Sequence, residues 1–284
     1  MSLDGIATAS GGFRVLAIDH RDSMRAFLAP DDPDAVSPRA ITDLKLDLVR
    51  ELAPLATGVM LEPEYSIPQV SDAGVLPERV GFLAALEAQG YLGDPGAAPA
   101  RLADGWSVAA AKASGAAAAK LLVSYHPDAA LAAEQEAVAT DLLAQCRAVD
   151  LPLVLEPLFY DLESPTDRPR VVLETARRFA AIGPDLLKLP FPVDTVLVAD
   201  RDGWTEQCLA ITASCPMPWA LLSGGGSFDE FAAQLDVAMD SGCSGFMVGR
   251  ALWGEAALAP VEQRIAVIRD LVVPRLAALA TRVA

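Results

Sequence analysis

Eight short apolar runs, separated by amphipathic or alanine-rich segments, predict an α/β chain folded as one (β/α)8 (TIM) barrel over residues 1–284. Three observations carry this expectation. The runs, at residues 14–18, 58–61, 80–84, 120–123, 153–155, 185–189, 219–222 and 245–248, are continuous in Val, Ile, Leu and other apolar residues, as parallel strands covered on both faces are. The segments between them repeat apolar residues at helical spacing, so strand and helix alternate without an interrupting linker. The chain has 284 residues, 52% of them hydrophobic, and a barrel of this kind takes about 250 residues. A doubly wound open sheet is the alternative architecture. It would place a glycine fingerprint after the first strand, where this chain has Asp19-His20-Arg21-Asp22.

Taken in order, the first clear helix is 38–52, which starts behind Ser37 as N-cap with Pro38 at its first position and repeats Ile41, Leu44, Leu48 and Leu52. The third unit, 76–105, is the least defined, being rich in Gly, Pro and Ala. Residues 109–123 are alanine-rich but broken by Lys112, Ser114, Gly115 and Lys120, so they read as a helix end feeding a buried strand. Helical patterns follow at 128–149, 170–182 and 228–240, with Gly183 and Gly242 where a terminating glycine belongs. The last pattern, 261–279, has a broad apolar face that closes the barrel or meets a second copy in a homo-oligomer.

Charge narrows the partners. The net charge is −16, which excludes nucleic acid and an anionic membrane surface, both of which are bound through dense Lys/Arg patches. The basic residues are 18 Arg and only four Lys, and His20 and His126 are the two histidines. Two histidines supply too few ligands for a His-rich metal site, so neither metal nor other cofactor is expected. The four cysteines show no metal-like spacing and read as reduced. No run reaches the roughly 18 apolar residues of a membrane span, and residues 1–12 carry no apolar leader core; the expectation is a cytoplasmic enzyme.

In this architecture the working residues stand at the C-terminal ends of strands. Several strand ends here carry charge: Asp19 and Arg21 after the first, Glu62 and Glu64 after the second, Glu156 after the fifth and Arg250 after the eighth. Lys188 is the most informative residue. It lies within Leu186-Leu187-Lys188-Leu189, and period-two alternation sets it opposite Leu187 and Leu189; if those leucines meet the helices, Lys188 faces the interior. A buried amine tends to shed its charge, and a neutral amine is what Schiff-base chemistry requires. The competing reading is a lysine that snorkels out to an acid. Lys120 opens the fourth strand as a second cation whose direction the sequence leaves open, and Glu156 and Asp19 supply carboxylates for proton transfer or for holding lysines and hydroxyls.

A second candidate site is an anion cradle. Ser223-Gly224-Gly225-Gly226-Ser227 follows the seventh strand and enters a helix, and Gly249-Arg250 after the eighth adds an N–H and a guanidinium. Glycine-rich turns and helix N-termini bind phosphate, and the loops after strands seven and eight are its usual place in such barrels.

At these residues the chain resembles the class I aldolases that cleave tagatose 1,6-bisphosphate, and more closely their sulfofructosephosphate aldolase branch. The resemblance rests on Ala9-Ser10-Gly11-Gly12-Phe13 with Leu16-Ala17-Ile18-Asp19; Leu61-Glu62-Pro63-Glu64-Tyr65; Lys120-Leu121-Leu122-Val123; Leu155-Glu156-Pro157; Asp185-Leu186-Leu187-Lys188; Pro218-Trp219 through Ser223-Gly224; and Gly249-Arg250-Ala251-Leu252-Trp253, in the family's order. It implies a barrel in which Lys188 forms the imine and Glu156 is the acid/base, with Asp19 and Lys120 in the same pocket. It also implies a sugar-phosphate substrate lying on Ser223, Gly224, Gly225, Gly249 and Arg250, with Arg21 and the Glu62/Glu64 loop toward the aldehyde half. The chain departs from the family at Lys188-Leu189-Pro190, where Lys-Val-Glu is usual, at His20, where Gln is common, and at Ser223-Gly224-Gly225. Two other readings use the same cradle: a sugar-phosphate lyase or epimerase without an imine, and a non-catalytic sugar-phosphate sensor.

Overall fold

The eight apolar runs form eight parallel strands that follow one another around a closed ring: β1 (Phe13–Ala17), β2 (Gly58–Leu61), β3 (Gly81–Ala85), β4 (Ala118–Ser124), β5 (Leu153–Leu158), β6 (Leu186–Leu189), β7 (Trp219–Leu222) and β8 (Gly245–Val248), with β8 pairing back onto β1. This computed structural model describes residues 1–88, 96 and 98–283. Part of the weakly patterned third unit, residues 89–95 and 97, therefore lies outside the described residues.

Helices ring the barrel. α1 (Asp22–Leu28) and α2 (Pro38–Leu52) follow β1, α3 (Ile67–Ala73) follows β2, α4 (Val108–Ala113) follows β3, and α5 (Ala132–Ala148), α6 (Arg168–Ile182), α7 (Arg201–Ser214) and α8 (Phe228–Asp240) follow β4 to β7. After β8 come α9 (Arg250–Leu258), α10 (Val261–Val267) and α11 (Val273–Ala280). The fold is thus a single (β/α)8 barrel. Sequence chemistry explains the helix ends: Ser37 Oγ accepts the Ala40 N–H at 3.2 Å to start α2, and Gly183, left-handed at φ 83°, stops α6.

The barrel departs from the expected boundaries in physically readable places. β4 begins at Ala118 rather than Lys120, because Ala118 and Ala119 pair with Leu83, Ala84 and Leu153 although alanine favours helices. Lys120 is therefore inside a strand, not at its start. α5 starts at Ala132, after a turn in which the Ala129 N–H bonds the His126 carbonyl. The terminal pattern is interrupted by a π-helical turn, Ile268–Val272, just before Pro274, whose ring removes a helical donor. This segment packs Ile268, Val272, Leu276 and Leu279 inward, against α2 among others, and so covers the barrel wall.

Alternation along the strands sorts the core into two shells. Outward residues such as Leu16, Val59, Leu121, Leu155, Leu187 and Leu221 meet the helices. Inward residues, among them Val15, Met60, Leu83, Val154, Leu186 and Met247, fill the barrel. A 3-10 turn, Asp4–Ile6, plugs one end with Ile6. Gly81 must be glycine there, since a Cβ would lie 2.1 Å from the Gly5 carbonyl oxygen. The opposite end, where the strands terminate, is left for polar side chains.

Candidate active site

One residue-pair step beyond the apolar filling, the inward line of five strands turns charged. Ala17 leads to Asp19 just past β1, Ala85 to Glu87 just past β3, Ala118 to Lys120 on β4, Val154 to Glu156 on β5 and Leu186 to Lys188 on β6. All five are buried. Lys188 Nζ lies 2.6 Å from Glu156 Oε1, and beneath it Met60 Sδ is 3.8 Å away. Lys120, with no exposed surface, carries three carboxylates: Asp19 Oδ2 at 2.8 Å, Glu87 Oε1 at 2.5 Å and Glu156 Oε2 at 3.0 Å. The first two are hydrogen bonds. The third is an ion contact poorly aligned for one, which leaves Glu156 Oε2 a buried oxygen with no hydrogen-bond donor among the described residues.

The electrostatics follow from two cations and three acids sharing a buried site. Burial alone would raise the Asp19 pKa, but the charges of Lys120 and then Lys188 overcome it and hold Asp19 well below the usual carboxylate range. His20, next along the chain, is pushed down to about 3 by burial, with Arg250 and Lys188 adding to the effect against the pull of Asp19. It is a neutral imidazole, packed edge-on to Trp253 at 5.4 Å.

These groups open onto a cavity of about 360 Å³, whose wall also includes Arg21, Arg168, Ser223, Gly224, Gly225, Gly249 and Arg250. The structure thus brings Lys188, Glu156, Asp19, Arg21 and the 223–225 and 249–250 turns around one cavity, with Lys120 buried behind the carboxylates. Arg21 is fixed by an Nη2–H bond to the Glu87 carbonyl at 2.8 Å. Arg250 lies over the glycine turn, its Nη2 3.3 Å from where a Gly225 Cβ would stand. Gly224 and Gly225, at φ 58° and 81°, give the turn a left-handed path that bare backbone takes without strain. Ser227 caps α8 by accepting the Glu230 N–H at 3.2 Å.

Two expectations need correcting. The Gly249 N–H does not point free toward a ligand: it donates to Ser223 Oγ at 3.3 Å and ties the two turns together. Glu62 is not on the cavity wall. It is fully buried against Lys45 of α2, 2.5 Å from Nζ, and also accepts from the Glu64 and Tyr65 N–H groups and the Ser66 hydroxyl. The second strand ends in a structural ion pair, while Glu64 turns to solvent.

Two charged residues of the cavity wall escaped the sequence reading. Glu87 sits in the glycine- and alanine-rich third unit, but extending the Leu83, Ala85 alternation by one step finds it. Arg168, the first residue of α6, reaches the same wall, donating Nε–H to the Phe191 carbonyl at 3.0 Å and covering the Phe159 ring at 5.2 Å. Among the described residues, no grouping of His, Cys, Asp and Glu is arranged to hold a metal ion, and no helix is long and apolar enough to cross a membrane.

Comparison with known proteins bears on the family and on the barrel. The tagatose 1,6-diphosphate aldolases of Staphylococcus haemolyticus and Staphylococcus epidermidis are each 29% identical to the chain, over 92% of it and 87% of their own length. A Corynebacterium glutamicum protein of solved structure matches with a TM-score of 0.72 at 20% identity, covering 98% of this chain and 87% of that one. A Schiff-base-forming fructose-1,6-bisphosphate aldolase matches with a TM-score of 0.66 at 20% identity, covering 98% and 97%. At these identities the structural matches speak for the barrel alone. A family model described as DeoC/LacD family aldolase matches residues 13–255, from β1 into α9. The chain belongs to the DeoC/LacD family of aldolases.

Proposed function

We propose that the protein is a class I, Schiff-base aldolase that cleaves a ketose phosphate of the sulfofructose 1-phosphate or tagatose 1,6-bisphosphate type to dihydroxyacetone phosphate and an aldehyde, without a cofactor. The observation that supports this reading most is Lys188 buried on the inner wall with Glu156 Oε1 at 2.6 Å, at the base of a cavity rimmed by a glycine turn and Arg250.

Lys188 passes a proton to Glu156 and attacks the C2 carbonyl of the ketose phosphate as the free amine. That transfer leaves the net charge of the buried cluster unchanged, which keeps it inexpensive in a low-dielectric site. Glu156 returns the proton to the carbinolamine hydroxyl, which leaves as water, and the iminium forms. Glu156, ionised again, takes the proton of the C4 hydroxyl. The C3–C4 bond breaks, its electron pair passes to the iminium nitrogen as an enamine, and the aldehyde departs. Protonation at C3 and hydrolysis release dihydroxyacetone phosphate and restore Lys188. Lys120 holds Asp19 in place through this cycle, Ser223, Gly224, Gly225 and Arg250 receive the C1 phosphate, with Gly249 bracing Ser223, and Arg21 stands toward the aldehyde half.

Turnover tests the reading. The protein is incubated with a panel of ketose 1-phosphates and 1,6-bisphosphates in excess chelator. Dihydroxyacetone phosphate should appear with at least one member and vanish in Lys188→Ala. Epimerisation without cleavage, or binding without turnover, would overturn it.

A further inference from the structure

Glu87 has a position that the reaction above does not use. Its carboxylate is buried and both oxygens are held: Oε1 by Lys120 at 2.5 Å and Oε2 by the Leu122 N–H at 3.1 Å. Its own carbonyl holds Arg21 at 2.8 Å. A carboxylate gripped at both oxygens is a strut between β3, β4 and the β1 loop, not a group free to carry protons.

Its effect falls on Lys120. Glu87 and Asp19 take hydrogen bonds from Nζ, and Nζ meets Glu156 Oε2 in a 3.0 Å ion contact that is not aligned as a hydrogen bond. Glu156 is thereby split in function: Oε1 faces Lys188 at 2.6 Å, and Oε2, buried beside Lys120 Nζ, has no hydrogen-bond donor among the described residues. A buried carboxylate oxygen without a hydrogen-bond donor is unfavourable, so it persists only where neighbours enforce it, and on the cavity wall it is an acceptor for a substrate hydroxyl. Without Glu87, Lys120 turns to Glu156 and fills that oxygen.

We infer that Glu87 is a positioning residue for proton transfer: by keeping Lys120 on itself and Asp19, it leaves Glu156 Oε2 open to the substrate hydroxyl. The inference rests on the aldolase reading above. It also concerns charge, because the charged groups around Glu156 and Glu87 are Lys120, which both share with Asp19, Lys188, which meets Glu156, and Arg21, held on the Glu87 carbonyl, and Glu87 supplies the acid in excess of the two lysines.

The test compares Glu87→Gln, Glu87→Ala and Glu87→Asp in the full chain, with four readouts: kcat and KM for cleavage, the pH profile of kcat, solvent exchange of the C3 hydrogen of dihydroxyacetone phosphate, and borohydride trapping of that ligand on Lys188. Glu87→Gln is isosteric and keeps an acceptor for the Leu122 N–H, so it decides the matter if the alanine variant does not fold. Glu87→Gln should still trap the ligand and keep KM within about threefold, while kcat and C3 exchange fall about tenfold or more. Its kcat profile should move to lower pH, since removing a negative charge lets the cluster lose protons sooner. Glu87→Asp should restore the wild-type profile. A Glu87→Gln protein with wild-type kcat and profile, or one changed only in KM or melting temperature, overturns the inference and leaves the aldolase reading standing. Failure of the wild-type protein to trap the ligand overturns both.

Discussion

Replacing Lys120 by methionine isolates the electrostatic role of the buried cluster. Methionine matches the length of the lysine stem, so the chief change is loss of the ammonium. In the intact protein that ammonium lies within 3.0 Å of Asp19, Glu87 and Glu156. In the variant three acids share one cation, Lys188, which touches only Glu156. Removing one partner of a buried ion pair costs about 3–5 kcal/mol. At about 2–4 °C per kcal/mol for a chain of this size, the melting temperature should drop by roughly 6–20 °C near neutral pH. The loss must also depend on pH, and the sign is fixed. Crowded carboxylates relieve repulsion by binding protons, so their affinity in the folded variant rises above that in the unfolded chain. Such groups do no harm below their unfolded value, near 4, and destabilise increasingly as pH rises above it. In the wild type the opposite holds for Asp19: its depressed pKa contributes stability above its ordinary value of 3.8 and loses it as pH falls below that value. The two stability curves should therefore converge toward pH 4 and separate toward pH 8. Urea unfolding of both proteins at unit pH steps measures this. A gap that is constant with pH, or below about 1 kcal/mol at pH 8, would refute the reasoning.

Three further outcomes are expected. Gly225→Ala places a Cβ 3.3 Å from Arg250 Nη2 at a residue with φ 81°, so it should destabilise by about 1–2 kcal/mol in thermal melts and raise KM for the phosphorylated substrate more than it lowers kcat. Arg250→Ala should raise the dissociation constant for dihydroxyacetone phosphate about 10- to 100-fold by calorimetry, the worth of a charge-assisted hydrogen bond, with borohydride trapping retained at saturating ligand. Glu62→Gln strands the buried Lys45, so it should cost about 3–5 kcal/mol in urea while kcat/KM stays within about threefold, because Glu62 is off the cavity wall. A large kinetic defect in a folded Glu62→Gln protein would return that carboxylate to the substrate.

The sequence revealed most where local pattern and rare residue types coincide. Lys188 stands out because the chain has only four lysines and one of them interrupts a buried run. The glycine turn after β7 is legible because its residues are contiguous. What stayed hidden depends on partners distant in sequence. Glu62 looked like a rim acid from its strand-end position, and only Lys45, a full helix earlier, turns it into a structural pair. Lys120 has no readable direction until Ala118 and Ala119 are known to pair as strand, since alanine gives no periodic signal. Glu87 lies past the end of β3 in a unit with little patterning, and Arg168 reaches the cavity only because α6 begins beside it. Strand alternation carried one residue-pair step further than the apolar run would have found Glu87, but no local rule places a helix's first arginine over a neighbouring cavity.

Mass spectrometry of the trapped enzyme tests the imine most directly. The protein is saturated with dihydroxyacetone phosphate, reduced with borohydride and digested, and the peptide containing Lys188 is sequenced. The expected result is a stable adduct of the reduced triose phosphate on Lys188 and on no other lysine, formed in chelator and absent in Glu156→Gln or reduced in proportion to its lost activity. An unmodified Lys188 under saturating ligand, with turnover intact, would contradict the Schiff-base chemistry outright, and modification at Lys120 would assign the nucleophile to the wrong lysine.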